Sequence, residues 1–128
     1  MRKIRNTVIL AALLLCSVSC AKKYVEHYEH LVLTSTSYTL RAGGDSFQFM
    51  VYYSGSWTAE LKGGTLVDNV IEDVCEVDWA FINRDGAPSQ DYLRVTYEPA
   101  TTVARTAYIV IKTDNGEQSI VTLTQAKQ

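Results

Sequence analysis

Side chains that could perform catalysis are scarce in this sequence and are not placed to act together. Both histidines, His27 and His30, belong to a polar stretch ahead of the first expected strand, where no rigid Ser-His-Asp or Cys-His arrangement can form. Cys75 has acidic neighbours and no basic partner that would stabilise a thiolate. No glycine-rich phosphate loop opens a helix. The residue types therefore predict a protein that is not an enzyme, carries no cofactor and acts by binding.

Metal ligation is the next chemistry that the residue types allow, and their spacing does not favour it. Two glutamates and two histidines cluster between residues 26 and 30, but no rigid scaffold or further fixed ligand accompanies them. The acidic residues between 68 and 78 lack the Asp-x-Asp-x-Asp-Gly pattern of a calcium loop. We therefore expect a solvated acidic face and no metal site.

Outward-facing tyrosines are the remaining candidates, because a flat aromatic ring can stack on the apolar face of a sugar. Alternation along the expected strands places Tyr52 and Tyr108 outward. Tyr92, at the start of another strand, is a third candidate. The turns at residues 54–56 and 85–90 could add contacts from loop tips. The pattern predicts a ligand-binding surface built from some of these positions.

The N-terminus has the features of a bacterial export signal. Residues 1–6 include three basic side chains, and the apolar run at 8–15 is shorter than the roughly 20 residues that span a bilayer. Ser17-Val18-Ser19-Cys20 resembles a lipobox, with Ser17 where Leu is usual. We expect residues 1–19 to be a lipoprotein signal peptide and Cys20 to be lipidated, with an ordinary secretory signal as the alternative.

Charge and cysteine content restrict the partners of the mature chain. Loss of residues 1–19 removes three of the 12 Lys and Arg residues, leaving 9 against 14 Asp and Glu, a formal net charge of −5. This charge disfavours nucleic acid and anionic lipid as partners. Cys16 leaves with the signal and Cys20 is alkylated, so Cys75 has no disulfide partner. The remaining 109 residues suffice for one domain.

Turn residues and alternation predict the architecture of that domain. Residues 20–30 are polar and without a clear period, and we interpret them as a tether to a domain at 31–128. Asp114-Asn115-Gly116 lies between two β-branched runs and predicts a hairpin with a type I′ turn. About seven such runs indicate an all-β protein, an immunoglobulin-like antiparallel β-sandwich. Trp57 and Trp79 share the parity of inward residues and are expected in its core.

Residues 66–76 have the least regular pattern. Apolar pairs recur there every fourth residue, which is closer to a helical period than to a strand period. Gly63 and Gly64 are expected to end the preceding strand. We therefore predict a short helix or irregular crossover near 66–76, followed by a strand with Trp79 and Phe81 on its inner face.

The strand pattern resembles the BACON domain, an immunoglobulin-like module of Bacteroidetes, over about residues 31–125. The motifs that carry the resemblance are Phe47-x-Phe49-x-Val51 followed by Trp57, then Trp79, Leu93-x-Val95, Arg105-x-Ala107-x-Ile109-x-Ile111 and Val121-x-Leu123-x-Gln125. The resemblance implies a non-catalytic module, proposed to bind glycans or mucin, that elsewhere acts as a spacer in carbohydrate-active enzymes.

Three functions are compatible with these features. The chain could bind glycan, serve as a structural spacer or protein-docking lipoprotein, or present an inhibitory loop to an envelope protein. In each case we expect a location in the cell envelope, anchored by lipid to the outer membrane, on its periplasmic or its surface side. The expected partners are the membrane, through the anchor, and a glycan or an envelope protein.

Overall fold

The computed structural model describes residues 27–84 and 91–128. Within these ranges the regular secondary structure consists of β-strands only. The strands are β1 Ser37–Thr39, β2 Asp45–Met50, β3 Trp57–Val67, β4 Val70–Cys75, β5 Ala80–Asn83, β6 Tyr92–Tyr97, β7 Arg105–Thr113 and β8 Gln118–Gln125. In the same ranges no helix is long and apolar enough to cross a membrane. The expected signal peptide, Cys20 and the turn at 85–90 lie outside the described residues.

The strands form two sheets that pack face to face. The larger sheet has the order β1-β8-β7-β3-β4, and the smaller has the order β2-β6-β5. All pairs are antiparallel except β1 with β8. The adjacency of β3, β7 and β8, with β4 extending their sheet, follows the plan of variable-type immunoglobulin domains. The predicted all-β sandwich is confirmed, with one parallel pair at an edge.

The hydrophobic core fills the space between the two sheets. Alternate positions of strands in both sheets point inward, as the period-two pattern predicted. Trp57 and Trp79 are 3% and 9% exposed and belong to this core. The core is built from residues between Leu31 and Leu123, so a chain beginning at Ala21 contains all of it. The largest fully buried apolar side chains are Val51, Leu93, Val95, Ile109, Ile111, Val121 and Leu123.

The predicted helix or crossover near 66–76 is wrong, because this segment completes a β-hairpin between β3 and β4. Asp68 and Asn69 have φ of 50° and 64°, the two positive values that a type I′ turn requires. The expected strand break at Gly63 and Gly64 is also wrong, since β3 continues through both. The register shifts between Gly63 and Thr65, opposite Asp73 at φ 53°, so the glycines accompany a bulge.

The closing hairpin between β7 and β8 is present, but its turn differs from the predicted type I′. Thr113 and Glu117 close the loop, with the Thr113 N–H donating to the Glu117 carbonyl at 3.0 Å. Within the three-residue loop only Gly116 has a positive φ, 91°. This geometry matches a type I turn followed by a left-handed glycine. Asn115 therefore keeps an ordinary φ, and its side chain is used elsewhere.

The parity expected for β5 is shifted by one residue. Phe81 was expected to point inward with Trp79, but it is 56% exposed, while Ala80 and Ile82 face the core. The physical reason is that Trp79 precedes the strand in a bend, so the alternation begins at Ala80 and not at Trp79. The Trp79 ring also contacts Arg105, whose guanidinium carbon lies 4.4 Å from the ring centroid in a cation–π arrangement.

Arg105 and Gln125 join the ends of β7 and β8 to the loop before β7. Gln125 is fully buried, and its side-chain oxygen accepts a hydrogen bond from Arg105 Nε at 2.7 Å. Its amide nitrogen donates to the carbonyls of Arg41 and Glu98, each at 2.9 Å. Every polar atom of the buried amide is thus paired. This network gives a structural role to two of the motif positions noted in the sequence.

Candidate functional site

The end of the sandwich opposite Arg105 carries a groove with aromatic walls. Here the residues before β1 meet the turn after β2 and the turn between β7 and β8. The space has a volume of about 450 Å³. It lies at the end of β2, and we call it the Tyr28–Tyr52 groove. Its lining includes His27, Tyr28, Met50, Tyr52, Tyr53 and Asp91.

Two tyrosine rings define the groove. The centroids of Tyr28 and Tyr52 are 5.3 Å apart, and the ring planes are inclined by 50°. Tyr52 is fixed by an isolated antiparallel bridge to Val32, in which each backbone N–H donates to the other residue's carbonyl at 3.0 and 3.1 Å. A pair of tyrosine rings combines apolar faces with hydroxyl groups, which suits a ligand with both apolar and hydroxylated faces.

The segment that carries Tyr28 is held to the domain by hydrogen bonds. The Tyr28 N–H donates to Ser54 Oγ at 2.6 Å, and the Ser54 N–H donates to the Tyr28 carbonyl at 3.0 Å. The Asn115 amide donates to the carbonyl of Glu29 at 3.1 Å. The tether predicted for residues 20–30 is therefore folded onto the domain from Tyr28 onward, and contacts begin earlier than the expected boundary at residue 31.

Glu117, in the β7–β8 turn, adds an electrostatic contact to this segment. One of its oxygens accepts a hydrogen bond from the Leu31 N–H at 2.7 Å, and the other lies 2.6 Å from His30 Nδ1. The hydrogen bond to Glu117 raises the pKa of His30 above its ordinary 6.5. The hydrogen bonds from His30 and Leu31 lower the pKa of Glu117 below its ordinary 4.5. Both shifts favour the charged pair.

A second carboxylate, that of Asp114, contacts a residue of the groove wall, Tyr53. The Tyr53 hydroxyl donates to Asp114, whose other oxygen accepts from the Ser56 N–H at 3.2 Å. The bond from Tyr53 lowers the pKa of Asp114, and the same bond raises the pKa of Tyr53. Asp114 is therefore charged at neutral pH and ties the β7–β8 turn to the turn after β2.

The three tyrosines expected to bind ligand occupy different environments. Tyr52 lines the groove. Tyr92 pairs in register with Met50, a groove residue, and its partly exposed side chain lies on the same outer face of the smaller sheet. Tyr108 was expected to be exposed, but it is only 9% exposed and lies in the other sheet. β7 is flanked by β3 and β8, and Tyr108 is paired in register with Lys62 on one side and Thr122 on the other. A large side chain on such a central strand has cross-strand neighbours on both sides.

Tyr28 and His27 were not identified as binding residues from the sequence. They lie in a polar stretch with no strand period, and the Tyr28–Tyr52 contact joins positions 24 residues apart. No local pattern reports such a contact. Across residues 27–84 and 91–128, no group of three or more His, Cys, Asp or Glu side chains is placed to hold a metal ion.

The fold and groove define a β-sandwich domain of immunoglobulin type with an aromatic surface groove. No protein-family model and no curated protein matches the chain. Two solved structures are similar to it. One is a GH5 xyloglucanase of Bacteroides ovatus, in complex with a XXXG heptasaccharide, at TM-score 0.58 and 14% identity over 77% of this chain. The other is a protein from Bacteroides thetaiotaomicron determined by NMR, at TM-score 0.56 and 12% identity over 88% of this chain.

The two similar structures differ in how much of each this chain represents. The chain covers 98% of the B. thetaiotaomicron protein but only 19% of the xyloglucanase. At these identities the likeness is one of fold. It places the sandwich among architectures that occur both as a separate protein and as a small part of a large enzyme.

Proposed function

We propose that this protein is a non-catalytic lipoprotein of the cell envelope that binds glycan in the Tyr28–Tyr52 groove. The observation that carries the proposal is the tilted tyrosine pair at 5.3 Å, held by backbone hydrogen bonds at an open end of the sandwich. Sugar rings have apolar faces that stack on aromatic side chains and hydroxyl groups that bond to polar atoms. Asp91 and Ser54 supply such polar atoms at the edge of the groove.

The family resemblance and the export signal support the same proposal. The strand motifs of the sequence resemble those of the BACON domain, a module proposed to bind glycans, and the lipobox-like sequence before Cys20 supports a lipid anchor in the outer membrane. The chain is similar over part of its length to an enzyme whose structure holds an oligosaccharide, and this likeness contributes the fold only.

We expect an isolated domain to bind glycan only weakly through this groove. Its walls are two tyrosines on an open surface, so a ligand buries little area while losing its rotational and translational freedom. Tyr28 and Tyr52 are already held by hydrogen bonds to Ser54 and Val32, which reduces the ordering cost on the protein side. We expect affinity to rise when several sugar units, or several anchored copies, engage together.

Docking of an envelope protein is the alternative, and one surface favours it. Val70 and Val74, at the free edge of the larger sheet, are 58% and 56% exposed. An exposed apolar edge strand can pair with a strand of another protein. The bulge at Asp73 and the neighbouring Glu72 interrupt this edge, which is how edge strands are protected from pairing. The groove is therefore the better supported site.

The proposal is tested with the chain from Ala21 to Gln128 on a glycan array, followed by calorimetry on any glycan bound. Binding is expected to be saturable and to be lost in Tyr52→Ala. Phe81→Ala is the matched control, because Phe81 is an exposed aromatic residue that does not line the groove. A silent array together with specific capture of one envelope protein would favour docking, and turnover of a glycan would refute a non-catalytic role.

A further inference from the structure

The two walls of the groove come from separate parts of the chain. His27 and Tyr28 belong to the segment ahead of β1, residues 27–30. Tyr52 and Tyr53 follow the end of β2. The turn between β7 and β8 contacts both parts. We infer that this turn assembles the groove from its two walls, and that protonation of His30 favours the assembled form.

One wall is fixed to the β7–β8 turn through Asp114, which does not itself line the groove. One oxygen of Asp114 accepts a hydrogen bond from the hydroxyl of Tyr53, and the other accepts from the Ser56 N–H at 3.2 Å. The Asp114 N–H donates in turn to the Ser56 carbonyl at 2.9 Å. The turn therefore has a fixed place relative to the wall that follows β2.

The other wall is held by two further side chains of the same turn. Asn115 donates to the carbonyl of Glu29 at 3.1 Å. Glu117 accepts from the Leu31 N–H at 2.7 Å, and its other oxygen lies 2.6 Å from His30 Nδ1. Residues 27–30 lie outside every strand, so they lack the ladder of backbone hydrogen bonds that fixes a strand in a sheet. Their position depends on contacts of this kind.

Docking of residues 27–30 and formation of the tyrosine pair occur together. Tyr28 exchanges hydrogen bonds with Ser54, and its ring centroid lies 5.3 Å from that of Tyr52. Leu31, directly after the segment, packs against the core, which limits any movement to the residues before it. When the segment detaches, Tyr52 loses its aromatic partner and the groove loses one wall. The turn residues are thus positioning residues for a site that they do not touch.

Protonation enters through His30, because two carboxylates face it. The hydrogen bond to Glu117 is the main cause that raises the pKa of His30, and the charges of Glu117 and Glu29 act in the same direction. Asp114, the third carboxylate of this region, is bonded to the other wall. Because the pKa of His30 is raised in the docked form, docking is strongest below about 6.5 and weakens as the pH rises through the folded value.

The test is hydrogen exchange and NMR of the ¹⁵N,¹³C-labelled chain from Ala21 to Gln128, without ligand. The Ser54 amide donates to the Tyr28 carbonyl, so its protection factor reports docking, and NOEs between the rings of Tyr28 and Tyr52 report the aromatic pair. Protection factors are corrected for the intrinsic effect of pH on exchange. Ser54 protection should be about threefold greater at pH 6 than at pH 8, the size expected of an exposed ion pair.

Three variants separate the ion pair from other effects of pH. His30→Gln should lower Ser54 protection at pH 6 to about its value at pH 8, and Glu117→Gln should likewise remove the pH dependence. Glu60→Gln removes a carboxylate from an exposed ion pair with Lys62 and should leave the wild-type behaviour intact. Equal Ser54 protection at the two pH values in the wild type would overturn the inference. A pH dependence that survives in His30→Gln would also overturn it.

The consequence for ligand binding rests on the proposed function, but these readouts need no glycan. The two ideas therefore fail separately. Glycan binding that is lost in Tyr52→Ala, together with Ser54 protection that is independent of pH, would leave the proposed function standing and refute this inference. A silent glycan array with pH-dependent protection of Ser54 would support the assembly of the groove by the turn and count against glycan as its ligand.

Discussion

At the scale of single residues, burial separates aromatic side chains that the sequence alone cannot distinguish. Trp57 and Phe81 both lie on β-strands and both were expected in the core. Trp57 packs between the sheets and Phe81 projects into solvent. Tyr108 shows the opposite shift, from expected exposure to burial. The exposure of Phe81 follows from the alternation of β5, which begins at Ala80, and the burial of Tyr108 follows from the central place of β7 in its sheet. The effect of a substitution therefore depends on position more than on residue type.

Replacement of Trp57 by Ala is therefore expected to destabilise the domain strongly. Loss of a buried aromatic ring costs about 3 to 5 kcal/mol, a large part of the 5 to 15 kcal/mol typical of a domain. Phe81→Ala, in contrast, should change the free energy of unfolding by no more than about 0.5 kcal/mol, as surface substitutions usually do. Urea unfolding of both variants measures the difference, and similar midpoints would contradict the burial of Trp57.

The His30–Glu117 pair should give the docked segment a pH dependence. The folded-state pKa of His30 is raised, so its contribution is complete below about 6.5 and is lost as the pH rises through the folded value. The folded-state pKa of Glu117 is lowered, so its contribution is present above about 4.5 and is lost as the pH falls through the folded value. Docking is strongest between these two ordinary values.

NMR titration of the His30 ring protons measures this coupling. In the wild type the ring should titrate above its ordinary pKa, and in Glu117→Gln the pKa should fall back towards 6.5 because the charged acceptor is gone. Protection of the Leu31 amide from hydrogen exchange should decrease in the same variant, since that amide donates to Glu117. An identical His30 titration in both proteins would show that the pair does not form in solution.

At the scale of elements, the β3–β4 hairpin depends on a local backbone feature. Gly64 has φ 136°, and a Cβ atom at this position would lie 2.5 Å from the Glu72 carbonyl oxygen. The bulge at Asp73 brings that carbonyl close to β3. Gly63-Gly64 was expected to end the strand. Because glycine has no side chain, the pair instead allows β3 to continue alongside the bulge in β4.

Gly64→Ala is expected to destabilise the domain by more than about 1 kcal/mol, because both the positive φ and the close carbonyl oppose a side chain. Gly43→Ala is the matched control, since a Cβ there would meet nothing within 4 Å and its φ is not in the positive range. Thermal unfolding of the two variants compares them directly. Equal melting temperatures would mean that the bulge relaxes at little cost.

At the scale of the whole molecule, the groove is formed by the segment that follows the proposed anchor. Tyr28 is eight positions after Cys20, and it is already hydrogen-bonded to Ser54. If Cys20 carries acyl chains, the groove lies close along the chain to the point of attachment. Under the proposed function, lipidation of Cys20 would then affect ligand access as well as location.

Under the lipoprotein proposal, Cys20→Ala is expected to prevent lipidation and to release the chain from the membrane fraction, because two or more acyl chains at about 0.8 kcal/mol per buried CH₂ would provide the anchor. Labelling with a fatty-acid analogue followed by fractionation measures both effects. Cys75→Ala serves as the control, since Cys75 is an exposed free thiol of the domain. A Cys20→Ala protein that matures normally and stays on the membrane would refute the lipoprotein proposal.

The β3–β4 and β7–β8 turns show that local sequence does not by itself determine the turn type. Asp114-Asn115-Gly116 was predicted to form a type I′ turn, and the segment with Asp68-Asn69 was predicted to be a short helix or irregular crossover. In the structure the type I′ angles are at Asp68 and Asn69, and the Asn115 side chain donates to the Glu29 carbonyl. Asp and Asn both tolerate a positive φ, so flanking register and tertiary contacts select the turn type.

The sequence by itself determined the all-β class, the inward alternation of most strands and the burial of Trp57, because these follow from side-chain periodicity within single strands. Trp79 is buried as expected, but it precedes β5, so the alternation from which its burial was predicted does not explain it. Tertiary structure alone decided the burial of Tyr108, the exposure of Phe81 and the meeting of Tyr28 with Tyr52. Each of these depends on which strands become neighbours across the fold. Such pairings join residues far apart in the chain, and no local pattern encodes them.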